Sequence, residues 1–230
     1  MDIESFIEKL KHHPVGSGVF NPWYDVDKEN DINEACPRVR RHQLSAYLIE
    51  RIGQGATMLV GEALGYQGGH FTGIAMTSER ILLGGQNKNG ISPDHVFTNI
   101  TPQRTSRPEV KTMGFSEPTA TIVWGHLINA GLDPQKFILW NAFPWHPYNT
   151  KKGMLSNRTP TESELKTGVG ILNQLIDITG AVNIIAVGEK SIAVLRQAGI
   201  DATKVRHPAN GGAAKFKMQF QEVLTLSQRT

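Results

Sequence analysis

The chain has 230 residues, 39% of them hydrophobic and 20% charged, which is typical of globular proteins and unlike disordered chains. No run of about 18 apolar residues is present, and the first residues lack the apolar core of a secretory signal. A single cysteine, Cys36, excludes an internal disulfide and a four-cysteine zinc or iron–sulfur site. We therefore expect one domain over residues 1–230, a cytoplasmic monomer without a membrane partner.

Charge is distributed unevenly along the chain. Residues 1–100 carry 9 Lys and Arg against 12 Asp and Glu, whereas residues 101–230 carry 15 against 9. The second part therefore has a net charge of +6 and the first of −3. A positive half favours a polyanionic partner such as nucleic acid.

Short apolar runs alternate with amphipathic patterns. The runs predict buried strands at 57–60, 137–140, 184–187 and, more weakly, 204–205. Apolar residues at 3- and 4-residue steps predict helices at 39–52, 119–130, 162–178, 191–197 and 213–226. Residues 21–37 and 84–108 lack periodicity and are predicted to be loops, the second at the surface. The pattern predicts an α/β fold, a three-layer α/β/α sandwich around about four central parallel strands.

Binding sites in such sheets lie at the carboxyl ends of the strands. The first strand leads into GEALGYQGGHFTG, residues 61–73, whose five glycines let backbone amides approach a ligand closely. Glu62 directly follows this strand, Asn141 follows the second, and His207 precedes a predicted helix. A nearby helix N-terminus would keep the His207 imidazole neutral. Glu79 lies at a predicted helix start, where a first-turn acid with no catalytic role is an equally good interpretation.

The sequence lacks residues that several other kinds of binding or catalytic site require. The glycine-rich segment is neither GxGxxG nor a Walker loop. The acidic stretch 25–31 resembles a calcium loop but has Asn30 at the glycine position and Cys36 at the closing glutamate position. No HExxH pair or GxSxG serine is present, which disfavours a zinc hydrolase or a serine nucleophile. We expect no metal and no cofactor.

Five segments, in order, resemble motifs of the uracil-DNA glycosylase superfamily. GEALGYQGGHFTGIAMTSE (61–79) resembles the first motif, commonly GEAPG…TGxPF, and ILWNAFPWHP (138–147) resembles the segment around the base-reading Asn. NRTPT (157–161) followed by Glu164, IIAVGEK (184–190) and VRHPANGG (205–212) resemble the later motifs. The matches extend over residues 57–217.

The resemblance implies a DNA partner, a flipped nucleotide and hydrolysis of its N-glycosidic bond. It implies that Asn141 reads the base edge and that His207 stabilises the departing base anion. Two glutamates match carboxylates of different branches, Glu79 as first choice for the catalytic group and Glu62 as second. The base pocket is expected to contain Gly65, Tyr66, Met76 and Asn141. The DNA-binding residues are expected to be Ser78, Lys151, Lys152, Lys215, Lys217 and the wedge loop Asn210, Gly211 and Gly212.

The chain departs from the superfamily pattern inside the pocket. Ala63 stands where one branch has a catalytic Asp, Leu64 replaces a proline, and Ala75-Met76 replaces Pro-Phe, whose Phe stacks on uracil. Flexible Met and small Ala fit a wider base. Three functions stay open: a repair glycosylase for uracil or another deaminated base, a glycosylase for a bulky modified base in phage DNA, and a non-catalytic nucleic-acid-binding module.

Overall fold

A four-stranded parallel sheet forms the centre of the fold. The computed structural model describes residues 2–227 and places the strands in the order β3-β2-β5-β6. Their bounds are β2 Thr57–Ala63, β3 Phe137–Phe143, β5 Asn183–Val187 and β6 Thr203–Val205. Two short strands, β1 Val19–Phe20 and β4 His146–Pro147, pair antiparallel outside this sheet. The three pairings of this sheet are parallel, and the buried apolar side chains of its strands explain why helices cover it.

Helices flank the sheet. They are α1 Ile3–His12, α2 Cys36–Ile49, α3 Gly69–Thr72, α4 Glu79–Leu82, α5 Pro118–Asn129, α6 Glu162–Thr179, α7 Glu189–Gln197 and α8 Ala213–Ser227. Helix α6 begins at a capping box in which Thr161 and Glu164 each accept a backbone N–H of the other. The predicted α/β/α architecture is confirmed.

Helix α2 covers the exposed edge of β3. Because β3 is a terminal strand, its outer backbone groups have no strand partner. The Tyr47 hydroxyl donates to the carbonyl of Phe137 and accepts from the Leu139 N–H, and Nε of Arg51 donates to the same Phe137 carbonyl at 2.9 Å. These bonds satisfy the outer backbone groups of Phe137 and Leu139, so this part of the β3 edge is not open to another strand.

The predicted surface loop 84–108 is partly wrong. Ile91, Val96 and Phe97 are buried in the hydrophobic core. This stretch forms only two 3₁₀ turns, Asn87–Asn89 and Pro93–His95. A turn of three residues is too short to show a repeating spacing of apolar residues. The sequence pattern therefore could not identify these core residues. Among residues 2–227, no helix is both long and apolar enough to cross a lipid bilayer.

Candidate active site

A cavity of about 160 Å³ opens at the carboxyl ends of the parallel strands. Strand β2 and its extension, strand β3 and the loop after β6 all contribute to its wall. The lining residues are Gly61, Glu62, Ala63, Leu64, Gly65, Met76, Glu117, Thr119, Asn141, Asn157, Arg158 and His207. Five of the predicted site residues therefore meet here, together with several that the sequence analysis did not assign.

Asn141 presents an unpaired amide to the cavity. It lies within β3 rather than after it, opposite Gly61 of β2 in the parallel register. Its side chain is almost fully buried and makes no hydrogen bond with any residue that the structure describes. A Cβ on Gly61 would lie 2.5 Å from Oδ1 of Asn141, so only glycine gives this amide its room. The free amide can both donate to and accept from a ligand.

Replacing Gly61 with alanine tests the placement of that amide. The added methyl group displaces Oδ1 of Asn141 while the strand backbone keeps its conformation. We expect base release to fall about 10- to 100-fold, the usual cost of misplacing a binding group by about 1 Å, with no loss of thermal stability. Gly170→Ala is the control, because a Cβ there meets nothing within 4 Å. Equal single-turnover rates for Gly61→Ala and Gly170→Ala would contradict this assignment.

His207 holds a defined tautomer. Its Nδ1 accepts the backbone N–H of Ala209 at 3.1 Å. A neutral ring therefore carries its proton on Nε2, which is left as a donor. Burial, and secondarily the positive charge of Arg206, lowers the pKa of His207 below its ordinary value. This direction favours a neutral ring at pH 7, and its main cause is burial rather than the helix N-terminus that the sequence analysis named.

Glu62 is a half-buried carboxylate beside a cation. Its buried Oε1 forms an ion pair with Nζ of Lys190 at 3.1 Å, and its Oε2 makes no hydrogen bond with any described residue. The same Nζ donates to the Thr159 hydroxyl at 2.7 Å, which fixes the lysine between β2 and the segment before α6. Glu62 therefore combines access to the cavity with a free oxygen.

Glu117 is a second carboxylate of the cavity, and the sequence analysis missed it. Its Oε2 is buried and has no hydrogen-bond partner among the described residues. Burial raises the pKa of Glu117 to about 7. The only sequence signal was Glu-Pro before a predicted helix, the ordinary pattern of a helix start.

Met76 has a strained backbone at the cavity wall. Its φ of 46° lies in the left-handed region that a non-glycine residue seldom adopts. The indole N–H of Trp124 donates to the Met76 carbonyl at 3.2 Å and to the Thr77 hydroxyl at 3.1 Å. These bonds hold Met76, 5% exposed, in the wall where the resembling family has a phenylalanine.

Glu79, the first-choice catalytic carboxylate, does not reach the cavity. It is 1% exposed and its Oε1 accepts the backbone N–H groups of Thr105 and Ser106 at 2.7 and 2.9 Å. The Ser106 hydroxyl donates to Oε2. These bonds tie the 84–108 stretch to the start of α4, so Glu79 has a structural role. Ser78, predicted to hold a phosphate, is fully buried and has no route to one.

The segment 157–164 braces one side of the cavity. Oδ1 of Asn157 accepts the backbone N–H of Tyr66 at 3.1 Å. Arg158 donates through both terminal nitrogens to the carboxylate of Glu164, each at 2.7 Å. Tyr66 itself does not line the cavity; its ring packs edge-on against Phe115. Gly65 does line it, as predicted.

A buried chain of polar groups supports the same segment from behind. Nδ1 of His70 lies 2.9 Å from Nδ1 of His146, and Nε2 of His70 lies 3.1 Å from Oδ2 of Asp27. Nε2 of His146 donates to the Ser156 carbonyl at 2.8 Å. Burial lowers the pKa of His146 to about 3, so its other nitrogen accepts the proton of His70. The chain joins the N-terminal loop, the glycine-rich segment and the residue before Asn157.

Two exposed loops border the cavity. Lys151 and Lys152 lie on the loop that leads to Asn157, and Asn210 and Gly211 lie on the loop that begins at His207. Asn210 has a φ of 52°, in the left-handed region that a non-glycine residue seldom adopts. Gly212, predicted to belong to the wedge, is buried instead, and a Cβ there would overlap the His207 carbonyl. Lys215 and Lys217 are exposed on the first turns of α8.

Comparisons with known proteins agree with the fold. A family model described as the Uracil DNA glycosylase superfamily matches residues 52–227. SMUG2 from Pedobacter heparinus has a similar structure, with a TM-score of 0.61 over 99% of this chain and 98% of that one at 14% sequence identity. No curated protein matches the sequence. Because the family model matches most of the chain, the protein belongs to the uracil-DNA glycosylase superfamily, a membership that supports DNA glycosylase activity.

Proposed function

We propose that the protein extrudes a target nucleotide from DNA and hydrolyses its N-glycosidic bond, leaving an abasic site. The observation that supports this best is the meeting of Glu62, Asn141 and His207 in one cavity, each with an unused polar atom. An acid–base group, an edge-reading amide and a neutral donor are the groups that such a reaction needs.

Glu62 acts on the sugar side of the bond. When the C1′–N bond breaks, its electron pair leaves with the base and the sugar acquires oxocarbenium character. The carboxylate stabilises that positive charge and accepts a proton from the water that adds to C1′. Its unbonded Oε2 and the ion pair of its Oε1 with Lys190 favour this assignment over Glu79, both of whose oxygens accept hydrogen bonds.

His207 acts on the base side. Its Nε2–H donates to the base as negative charge develops there, in the manner of an oxyanion-hole donor. The Ala209 N–H keeps the proton on that nitrogen throughout the reaction. Asn141 holds the base edge through its amide, and the proton that Glu62 took from water then returns through solvent to the released base.

The two border loops are proposed to hold the DNA. Lys151, Lys152 and Lys215 are exposed cations that can contact phosphates. The exposed Asn210 and Gly211 would fill the space left by the extruded base, which offsets part of the few kcal/mol that unstacking costs.

A base with a bulky polar substituent is a second candidate substrate. Apart from the imidazole of His207, no aromatic ring lines the cavity among the described residues, so the wall lacks a flat stacking surface. Glu117, Thr119, Asn157 and Arg158 instead add polar groups that could bond the hydroxyls of a substituent. A glucosylated hydroxymethylcytosine in phage DNA, excised in antiviral defence, has this chemistry.

Alkali-revealed strand cleavage distinguishes these substrates. A uracil-containing oligonucleotide and DNA from a phage with glucosylated cytosines are treated in parallel. Cleavage of the first supports a repair enzyme for deaminated bases, and cleavage of the second alone supports the modified-base enzyme. Binding of both DNAs with abasic sites in neither contradicts the proposal and favours a non-catalytic binding module.

A further inference from the structure

We propose that Glu117 is a specificity-determining residue of this cavity, whose carboxylic acid donates one hydrogen bond and accepts another at the edge of the extruded base. This inference rests on the proposed function and extends it to a group that neither the sequence pattern nor the resemblance assigns. It concerns binding of the base rather than cleavage of the bond.

Glu117 does not serve the fold in the ordinary way. It is the N-cap residue of α5, where a side chain normally accepts a backbone N–H of the first turn. Its carboxylate makes no such bond, and no other described residue bonds to either oxygen. A buried polar atom without a partner costs stability, so a fold would not retain it without another use. We therefore infer that the Glu117 carboxyl group binds a ligand.

The surrounding chain leaves room for this carboxylate and directs it to the cavity wall. A Cβ on Gly68 would overlap Oε2 of Glu117, so glycine is required there for the side chain to occupy its position. Thr119, two residues later, lines the same cavity. The acid therefore lies beside the space that the base is proposed to fill.

Few charged groups face Glu117. The other titratable or charged side chains of the cavity are Glu62, Arg158 and His207, and Lys190 lies behind Glu62. Burial is the sole cause of the raised pKa of Glu117. Glu62 has a lysine partner and Glu117 has none, and two carboxyl groups in such different surroundings take different roles. Glu117 is the proton-bearing one.

A protonated carboxyl group donates through its O–H and accepts at its carbonyl oxygen. It therefore complements the edge of a base on which a hydrogen-bond acceptor lies next to a donor. Lactam edges of deaminated bases and the amidine edge of cytosine derivatives both have this arrangement. The proposal therefore assigns Glu117 to reading such an edge, whichever substituent the base carries elsewhere.

The test follows kcat/KM from pH 5 to pH 9 for the wild type, Glu117→Gln and Glu117→Leu, on the DNA that the wild type cleaves. Wild-type activity should fall about tenfold per pH unit above a midpoint near 7, because the ionised acid can no longer donate. Glutamine keeps a donor and an acceptor and does not ionise. The kcat/KM of Glu117→Gln should therefore not fall above pH 7. Leucine should lower kcat/KM about 10- to 100-fold relative to the wild type at pH 5, and this difference should shrink as the pH rises above 7.

Stability curves and a control variant separate this role from a structural one. Both Glu117 variants should unfold at a higher temperature than the wild type at pH 8.5 and not at pH 5, because the buried carboxylate is charged only at high pH. Glu34→Gln, at an exposed position outside the cavity, should change neither profile.

Two results overturn the inference alone: an alkaline midpoint in Glu117→Gln equal to that of the active wild type, or a Glu117→Leu variant as active as the wild type at pH 5. If the wild type releases no base from any of the DNAs, the proposed function fails and this inference fails with it.

Discussion

Glu62→Gln should reduce base release by about 10²- to 10⁴-fold, the usual contribution of a group that accepts a proton in the transition state. The amide keeps the size of the side chain but neither takes a proton from water nor stabilises an oxocarbenium ion. Because Glu62 is half-buried and paired only with Lys190, the variant should unfold within a few degrees of the wild type. Single-turnover assays and thermal melts check both expectations.

Glu79→Gln is the matched control for this experiment. Its carboxylate accepts bonds from Thr105 and Ser106 in the interior, so an amide there leaves at least one donor unpaired. We expect a loss of about 1–3 kcal/mol of unfolding free energy and a nearly unchanged rate for the folded fraction. The reverse pattern, an inactive Glu79→Gln and an active Glu62→Gln, would return the catalytic role to Glu79.

His207→Leu should lower the rate of base release about 10²- to 10³-fold, the typical cost of removing one donor from a developing anion. His207→Gln, whose amide can also donate, should recover part of that loss. ¹⁵N NMR of the wild type should show a neutral ring protonated on Nε2, because Nδ1 accepts from Ala209. A ring protonated on Nδ1 at pH 7, or a leucine variant of full activity, would be incompatible with the assigned role.

The framework of the fold was readable from the sequence because its signals are local. Buried parallel strands give unbroken apolar runs, and each predicted run lies inside an observed strand. The predicted ends were less accurate: β2 and β3 continue through Gly61–Ala63 and Asn141–Phe143, where polar and small residues interrupt the apolar pattern. The placement of Asn141 and Gly61 opposite each other follows only from the register.

The sequence predicted those residues of the candidate site whose side chains are positioned by the end of a strand. It did not predict those positioned by contacts with residues far away in the sequence. Glu62 lies in the last residues of β2 and His207 lies two residues after β6, which brings them to one edge of the sheet. Glu79 carries the same kind of local signal, but donors 26 and 27 residues away hold it in the interior. Glu117 reaches the cavity because Gly68, almost fifty residues earlier, leaves room for it. No local pattern encodes such contacts.

The central claim, that this cavity hydrolyses an N-glycosidic bond, is tested most directly by identifying the product. The wild type is incubated with each candidate DNA, the supernatant is analysed by mass spectrometry for free base, and abasic sites are counted with an aldehyde-reactive probe. We expect free base and abasic sites in equal amounts with the wild type, and neither with the Glu62→Gln/His207→Leu double variant. Equal yields from both proteins, or a released nucleotide in place of a free base, would contradict the account.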